Sequence, residues 1–336
     1  MTAPASNQVT SRRTTLSRAY RDGLAEEMAR DPSILVMGTD LYERGGHWAQ
    51  VTGLGPQFGR DRVRNTPISE AAMVAAGVGA ALDGLRPVVD LNFADFSFGA
   101  MDEIVNQAAK VRYWWNRPVP LVIRGTTGFA GGGAQHNNSL EAWFCHVPGL
   151  LVAMPSTPAD AKGLIKTALR GEDPVVFLMH KMLTGLRGEA GGPDDLVPFG
   201  QAAIRRPGTD VTVASYGVMV GKALRAAETL AADGIDVEVI DMRTLMPLDL
   251  DTVQRSAQRT RRLVVATEAY RHGGVGGEIA AAISESLFGE LAAPVGRVGA
   301  GFAPVPHSPV LLDALTPGPA EVEQAVRAAL RPRGDG

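Results

Sequence analysis

Residues 64–96 read RNTPISEAAMVAAGVGAALDGLRPVVDLNFADF. Pro67 makes the approach rigid, Thr66 or Ser69 can cap a helix, and small apolar residues then recur at helical spacing from 69 to 84. After Asp83 and Gly84 the chain passes into PVVDL (87–91), an apolar run without polar alternation. Such a run is what a parallel strand covered on both faces looks like, so the stretch reads as a helix feeding a buried strand of an α/β domain.

The pattern repeats outward in both directions. Similar strand runs are ILVM (34–37), PLVIR (120–124), LLVAM (150–154) and PVVFLM (174–179), with helical spacing at 16–30, 100–115 and 157–171. The last of these helices opens on Thr157, Pro158 and Asp160, a good start signal. Beyond a Gly-, Pro- and charge-rich passage at 183–200 a second series begins: strands at 211–216, 237–242, 262–268 and 295–300, helices at 218–234, 248–258, 275–289 and 318–330. The expectation is an α/β chain of two doubly wound domains, the second smaller and starting near residue 200. Strand order is not fixed by these patterns.

Composition narrows the functions. A length of 336 residues suits about two domains. With 33 basic against 36 acidic residues the net charge is −3, too little positive charge to hold a nucleic-acid backbone, so no nucleic-acid partner is expected. The single Cys145 can form no internal disulfide, which fits a reducing cytoplasm. Residues 1–13 lack the apolar core of a signal peptide, and no apolar run approaches the roughly 20 residues that cross a bilayer, so no membrane partner is expected either. Common site fingerprints fail as well. GVMVGKA (217–223) is a residue short of a phosphate loop, GLGPQFG (53–59) and GVGAALDG (77–84) miss the dinucleotide spacing, and no hydrolase elbow or zinc motif occurs.

Three stretches remain. Glu70 enters the first turn of the small-residue helix, where it either interacts with its own helix dipole or, once another helix or subunit approaches that helix, becomes a buried carboxyl able to share a proton with a ring nitrogen. Phe93, Phe96 and Phe98 follow strand PVVDL and can wall an aromatic ligand. GTTGFAGGGAQHNNSLEAW (125–143) follows strand PLVIR, and its glycines permit close approach while Gln135, His136 and Asn137 bring donors to the same rim. Strand carboxyl ends are where such folds bind ligands, and His136 is the favoured functional imidazole. His180, at the end of PVVFLM, reads equally as a site-edge or a structural histidine; His47, His272 and His307 are further edge candidates. Cys145 beside His146 reads as a packed, inert thiol, because adjacent side chains point apart.

With these residues in place, the motifs RVRNTPISEA, GVGAALDGLRPVVD, FADFSFGAMDEIVNQAAK, GAQHNNSLEAWFCHVPGL, PSTPADAKGL and VIDMRTLMPLD occur in fixed order between residues 62 and 249, within a resemblance that covers residues 14–331. In these the chain resembles the β subunit of the thiamine-diphosphate-dependent decarboxylating component of 2-oxo acid dehydrogenase complexes, in the transketolase-like superfamily. The resemblance implies a pyrimidine-binding domain at 14–195 and a transketolase C-terminal-type domain at 201–331. It implies that Glu70 contacts N1′ of the cofactor's aminopyrimidine, that Phe96 stacks on that ring, and that His136 faces substrate. The family's magnesium-diphosphate motif, G-D-G followed at a distance by Asn, is absent here. The resemblance assigns it to an α subunit, implying an α2β2 heterotetramer, thiamine diphosphate with Mg2+ held mainly by α, and acyl transfer to a lipoyl acyltransferase.

Several positions depart from the family spelling. HNNS replaces the commoner His-Ser-Gln-Ser, Met179 stands where glutamate is frequent, and GAGFAPVPHSP lacks the usual Asp-Thr-Pro. They bear on substrate choice and acyltransferase docking more than on the cofactor. Pyruvate leads among substrates, with branched-chain 2-oxo acids and acetoin as alternatives. A ketol transferase and a non-catalytic β-like scaffold are more distant readings.

Overall fold

The structure, a computed structural model, describes residues 13–331. A seven-stranded sheet runs in the order Thr244–Met246, Leu151–Ala153, Val175–His180, Val122–Thr127, Arg86–Phe93, Ile34–Gly38, Val63–Asn65. Its last six strands are parallel. A five-stranded sheet comes next, ordered Gly296–Ala300, Leu263–Tyr270, Val211–Ser215, Val237–Asp241, Ala203–Arg206, with only the last antiparallel. Every run read as a strand is a strand, and the α/β class has the same cause: apolar runs buried on both faces need helices on each side.

On one face of the large sheet, helices Leu16–Arg30 and Pro158–Arg170 pack together over Val36, Val88, Val122 and Phe177. On the other, helix Glu70–Leu82 lies along Arg86–Phe93. Gly77 sets that approach, because a methyl group there would come 2.7 Å from Val89. Val74, Val89, Ile123 and Leu178 belong to one core with Ile240 and Val265 of the second sheet and Ile279 of helix Val275–Ser286, so the two sheets share apolar packing.

Strand Thr244–Met246 lies in the second half of the sequence yet pairs antiparallel with Leu151–Ala153, extending the first sheet. Residues 100–115 differ from the continuous helix expected. The chain makes a tight turn over Ala94–Ala100, widens over Glu103–Ala108, breaks, and resumes at Val111–Trp115. The break falls where the Ala109 carbonyl passes Gly149 so closely that any side chain at 149 would overlap it.

Beneath the carboxyl edge of the large sheet sits a fully buried cation. Arg124 reaches Asp90 at 3.2 Å, the Asn92 carbonyl at 3.4 Å and the Met179 thioether at 3.6 Å. Asp90 also accepts from Gln50 at 2.7 Å and from the Asn92 amide at 2.8 Å. Removing the carboxylate leaves the guanidinium buried without a counter-charge, a change worth about 3–5 kcal/mol. Asp90→Ala is therefore expected to lower the urea midpoint by that much stability. A midpoint within experimental error of wild type would contradict this account of Arg124.

Candidate active site at the strand carboxyl ends

Phe93, the last residue of strand Arg86–Phe93, is the centre of a ring cluster. Its ring lies 5.0 Å from His136, 5.5 Å from Phe96 and 5.9 Å from both His47 and Trp48. Phe96 is in turn 5.4 Å from His136 at 81°. Mostly edge-to-face contacts of this kind are favourable for quadrupolar rings and fix each ring's orientation. Phe98 is not part of it: half its surface is exposed and it packs on Trp143 instead.

The helix carrying Glu70 packs against the turn Ala94–Ala100, which carries Phe96. Glu70 is the first helical residue and half-buried, and its carboxyl makes no hydrogen bond or ion pair with any described residue. The ring nitrogens of half-buried His136 are likewise unbonded to any described residue. Phe96 and His136 are thus brought into contact, while no hydrogen bond or ion pair joins either to Glu70.

The glycine-rich loop bearing His136 is tied from outside. Asp95 accepts from the Asn138 amide at 3.1 Å and from its side chain at 2.5 Å. Asn137 accepts from the Ala130 amide at 3.2 Å and donates to the Gly133 carbonyl at 2.5 Å. His180 is buried and not free for ligands: its Nδ1 accepts from the Met182 amide at 3.2 Å, leaving the proton on Nε2, which lies 2.7 Å from Glu268. The same Glu268 oxygen accepts from the Phe129 amide at 2.8 Å. Burial raises the Glu268 carboxyl, but His180 and the Phe129 amide outweigh it and hold the group below its ordinary value. Gly128 takes φ +98°, and a methyl group there would overlap the His180 ring.

Lys181 and Glu268 are the residues the sequence reading missed. Lys181 sits one position after a buried strand, and Glu268 at the end of the run 262–268, but nothing local marks either as a partner of the loop. His47 is in the ring cluster; His272 packs on Phe302 at 5.0 Å, and His307 lies on an exposed loop beside Gly133. Cys145 donates to the Leu245 carbonyl at 3.6 Å, and burial pushes its thiol well up, the setting of an inert cysteine. Met179 is buried against Arg124, and Asn137 serves the loop rather than facing outward.

Comparison with known proteins places this geometry. Residues 12–186 match the transketolase pyrimidine-binding domain and residues 200–322 the transketolase C-terminal domain. Fold and site thus define a transketolase-like protein. The chain is 42% identical over 334 residues to the acetoin:2,6-dichlorophenolindophenol oxidoreductase subunit beta of Cupriavidus necator, covering 95% of this chain and 98% of that one. It is 41% identical to the 2-oxoisovalerate dehydrogenase subunit beta of Bacillus subtilis, covering 90% and 94%. It is 42% identical to the pyruvate dehydrogenase E1 component subunit beta of Rhizobium meliloti, covering 94% and 69%. A solved structure described as a split gene transketolase, inactive beta4 tetramer, superposes with a TM-score of 0.77 at 28% identity, covering 94% of this chain and 97% of that one. The chain belongs to the β subunits of the thiamine-diphosphate-dependent 2-oxo acid dehydrogenase E1 components, enzymes that generally act as α–β assemblies.

The residues present fit the aminopyrimidine half of thiamine diphosphate. An unpaired carboxyl, an aromatic face and a free imidazole stand along one edge, and Trp48 Nε1 and Thr66 Oγ1 are buried there without partners. Among the described residues no cluster of three acidic, histidine or cysteine side chains could hold a metal ion, and no helix is long and apolar enough to cross a membrane.

Glu268 supplies a pH test. A carboxyl held below its unfolded value stabilises the fold above about pH 4.3 and loses that contribution as pH falls through its folded value. Glu268→Gln should cost about 1.5–3 kcal/mol at pH 7, and its deficit relative to wild type should shrink below pH 4. Urea unfolding at pH 7 and pH 3.5 measures both; a deficit that grows on acidification would reverse the sign.

Proposed function

We propose that the chain pairs with an α subunit in an α2β2 assembly and decarboxylates a small 2-oxo acid, with pyruvate as the leading substrate. The supporting observation is the ring cluster of Phe93, Phe96 and His136, in which Phe96 stands on the turn that packs against the Glu70 helix. Thiamine diphosphate supplies the electron sink that such a decarboxylation needs. In this reading Phe96 covers one face of the aminopyrimidine and Glu70 holds a proton at its N1′ nitrogen. His136 either orients the substrate carboxylate or donates to the carbonyl oxygen as negative charge develops. The α partner holds Mg2+ and the diphosphate, and a separate lipoyl acyltransferase receives the acyl group.

In this reading the bulky rings of His47, Trp48, Phe93, Phe96 and His136, packed at separations of 5.0–5.9 Å, flank the substrate, and their bulk favours a two-carbon fragment over a branched one. Acetoin is the second reading, favoured by the nearly full-length likeness to the acetoin oxidoreductase subunit, and its cleavage also leaves a two-carbon fragment.

Purification with the α partner, followed by assays with pyruvate, acetoin and 2-oxoisovalerate using dichlorophenolindophenol or lipoamide as acceptor, tests the substrate. Added methylene groups change selectivity about 10- to 200-fold. At least tenfold preference for pyruvate or acetoin is expected, and equal turnover of 2-oxoisovalerate overturns the small-substrate reading. In the same complex Glu70→Gln should lower turnover roughly 10²- to 10⁴-fold with thermal unfolding unchanged. Near-normal rates in that variant would refute the role given to Glu70. Phe96→Ala should weaken cofactor binding more than α association, as cofactor titration and sedimentation will distinguish.

A further inference from the structure

We infer that Lys181 is a positioning residue for catalysis: its ammonium clamps both ends of the glycine-rich loop and so fixes the backbone from which His136 presents its ring. The inference rests on the proposal that His136 faces the substrate, and adds the group that keeps it there.

Lys181 comes directly after strand Val175–His180 and begins a single tight turn, Lys181–Leu183. Its side chain is buried, with 6% of its surface exposed. The ammonium donates to the Gly128 carbonyl at 2.8 Å, to Asn137 Oδ1 at 3.0 Å and to the carbonyl of His136 itself. Three donors meet three acceptors, so its hydrogen-bonding capacity is fully used. Gly128 opens the loop and His136 and Asn137 close it, so one point charge gathers segments eight residues apart in sequence. The ring of Phe93 lies 5.5 Å from the same nitrogen, and Phe93 is the residue on which the His136 ring rests at 5.0 Å. Lys181 therefore touches both the backbone and the packing surface of His136 without contacting its ring nitrogens.

No described carboxylate forms an ion pair with Lys181. The carboxylates that support it act at longer range, Asp95 after strand Arg86–Phe93 and Glu268 on strand Leu263–Tyr270, while His180 precedes it in sequence and His136 offers it a backbone carbonyl. Burial accordingly outweighs both carboxylates and pulls the ammonium down to about 8. As pH rises through that value the clamp loses its charge and the donations that depend on it. Turnover should then fall on the alkaline side.

The test uses the α–β complex loaded with thiamine diphosphate and assayed with pyruvate. Lys181→Met should lower kcat at least about tenfold, as a displaced catalytic group does, while KM and cofactor Kd change less than about threefold. It should also lose the alkaline limb near pH 8. Asn137→Asp places a carboxylate on the ammonium, favours its protonated form, and should move the limb upward by about one unit or more. A kcat within twofold of wild type in Lys181→Met, or a limb unmoved in Asn137→Asp, overturns the inference. If Lys181→Met fails to fold, the limb position in Asn137→Asp decides alone. His136→Ala, run beside them, separates the two levels. If it too retains full kcat, the catalytic reading of His136 falls and takes the inference with it. If it loses activity while Lys181→Met does not, only the inference fails.

Discussion

A loop that reads Gly-Phe-Ala-Gly-Gly-Gly from 128 to 133 has few side chains with which to hold itself, and ordering glycine costs more backbone entropy than ordering any other residue. Groups outside it must supply the order. Asp95 takes Asn138 from the Phe96 turn, and Glu268, itself fastened to His180, takes the Phe129 amide. The C-terminal half is therefore part of the construction of a site whose candidate catalytic residues all lie in the first half.

The same dependence appears at larger scale. Thr244–Met246 completes the edge of the first sheet, and Tyr216 donates at 2.9 Å to Glu141 just beyond the loop. Arg205 and Arg243 of the second half both pair with Asp160 on helix Pro158–Arg170. Two sheets joined by a shared core and by these polar contacts resist sliding, so the position of Glu268 relative to His180 is set by many contacts and not by that pair alone.

Range decides what could be read from the sequence. Strands appeared because their apolar runs are continuous, and Phe96 and His136 because each comes after such a run, in a turn. Glu70 stood out because a carboxyl at a helix start is a local signal. Lys181 and Glu268 left no such mark: Lys181 meets the loop across 53 and 45 residues, and Glu268 meets His180 across 88. The three-residue strand Thr244–Met246 is too short to show a period, and the break in 100–115 falls where the chain packs against the distant Gly149. Local pattern reaches the elements and the residues at their ends. It does not reach pairings that exist only once two sheets have packed.

Buried charge gives this edge its definition. Arg124 and Lys181 lie beneath it, and Asp90, Asp95 and Glu268 are buried with them. Replacing such groups by apolar ones is often neutral or stabilising, so their presence is poor evidence of stability. Their effect is on the alternatives. A loop shifted along its length would strand the Lys181 ammonium without its carbonyls and Glu268 without the Phe129 amide, and each orphaned charge costs several kilocalories per mole. An apolar bed under a glycine-rich loop would tolerate many loop positions at nearly equal energy. A bed of charges that can be satisfied in one arrangement tolerates far fewer, and a ring that must meet a reacting carbonyl within a fraction of an ångström needs that restriction more than it needs added stability.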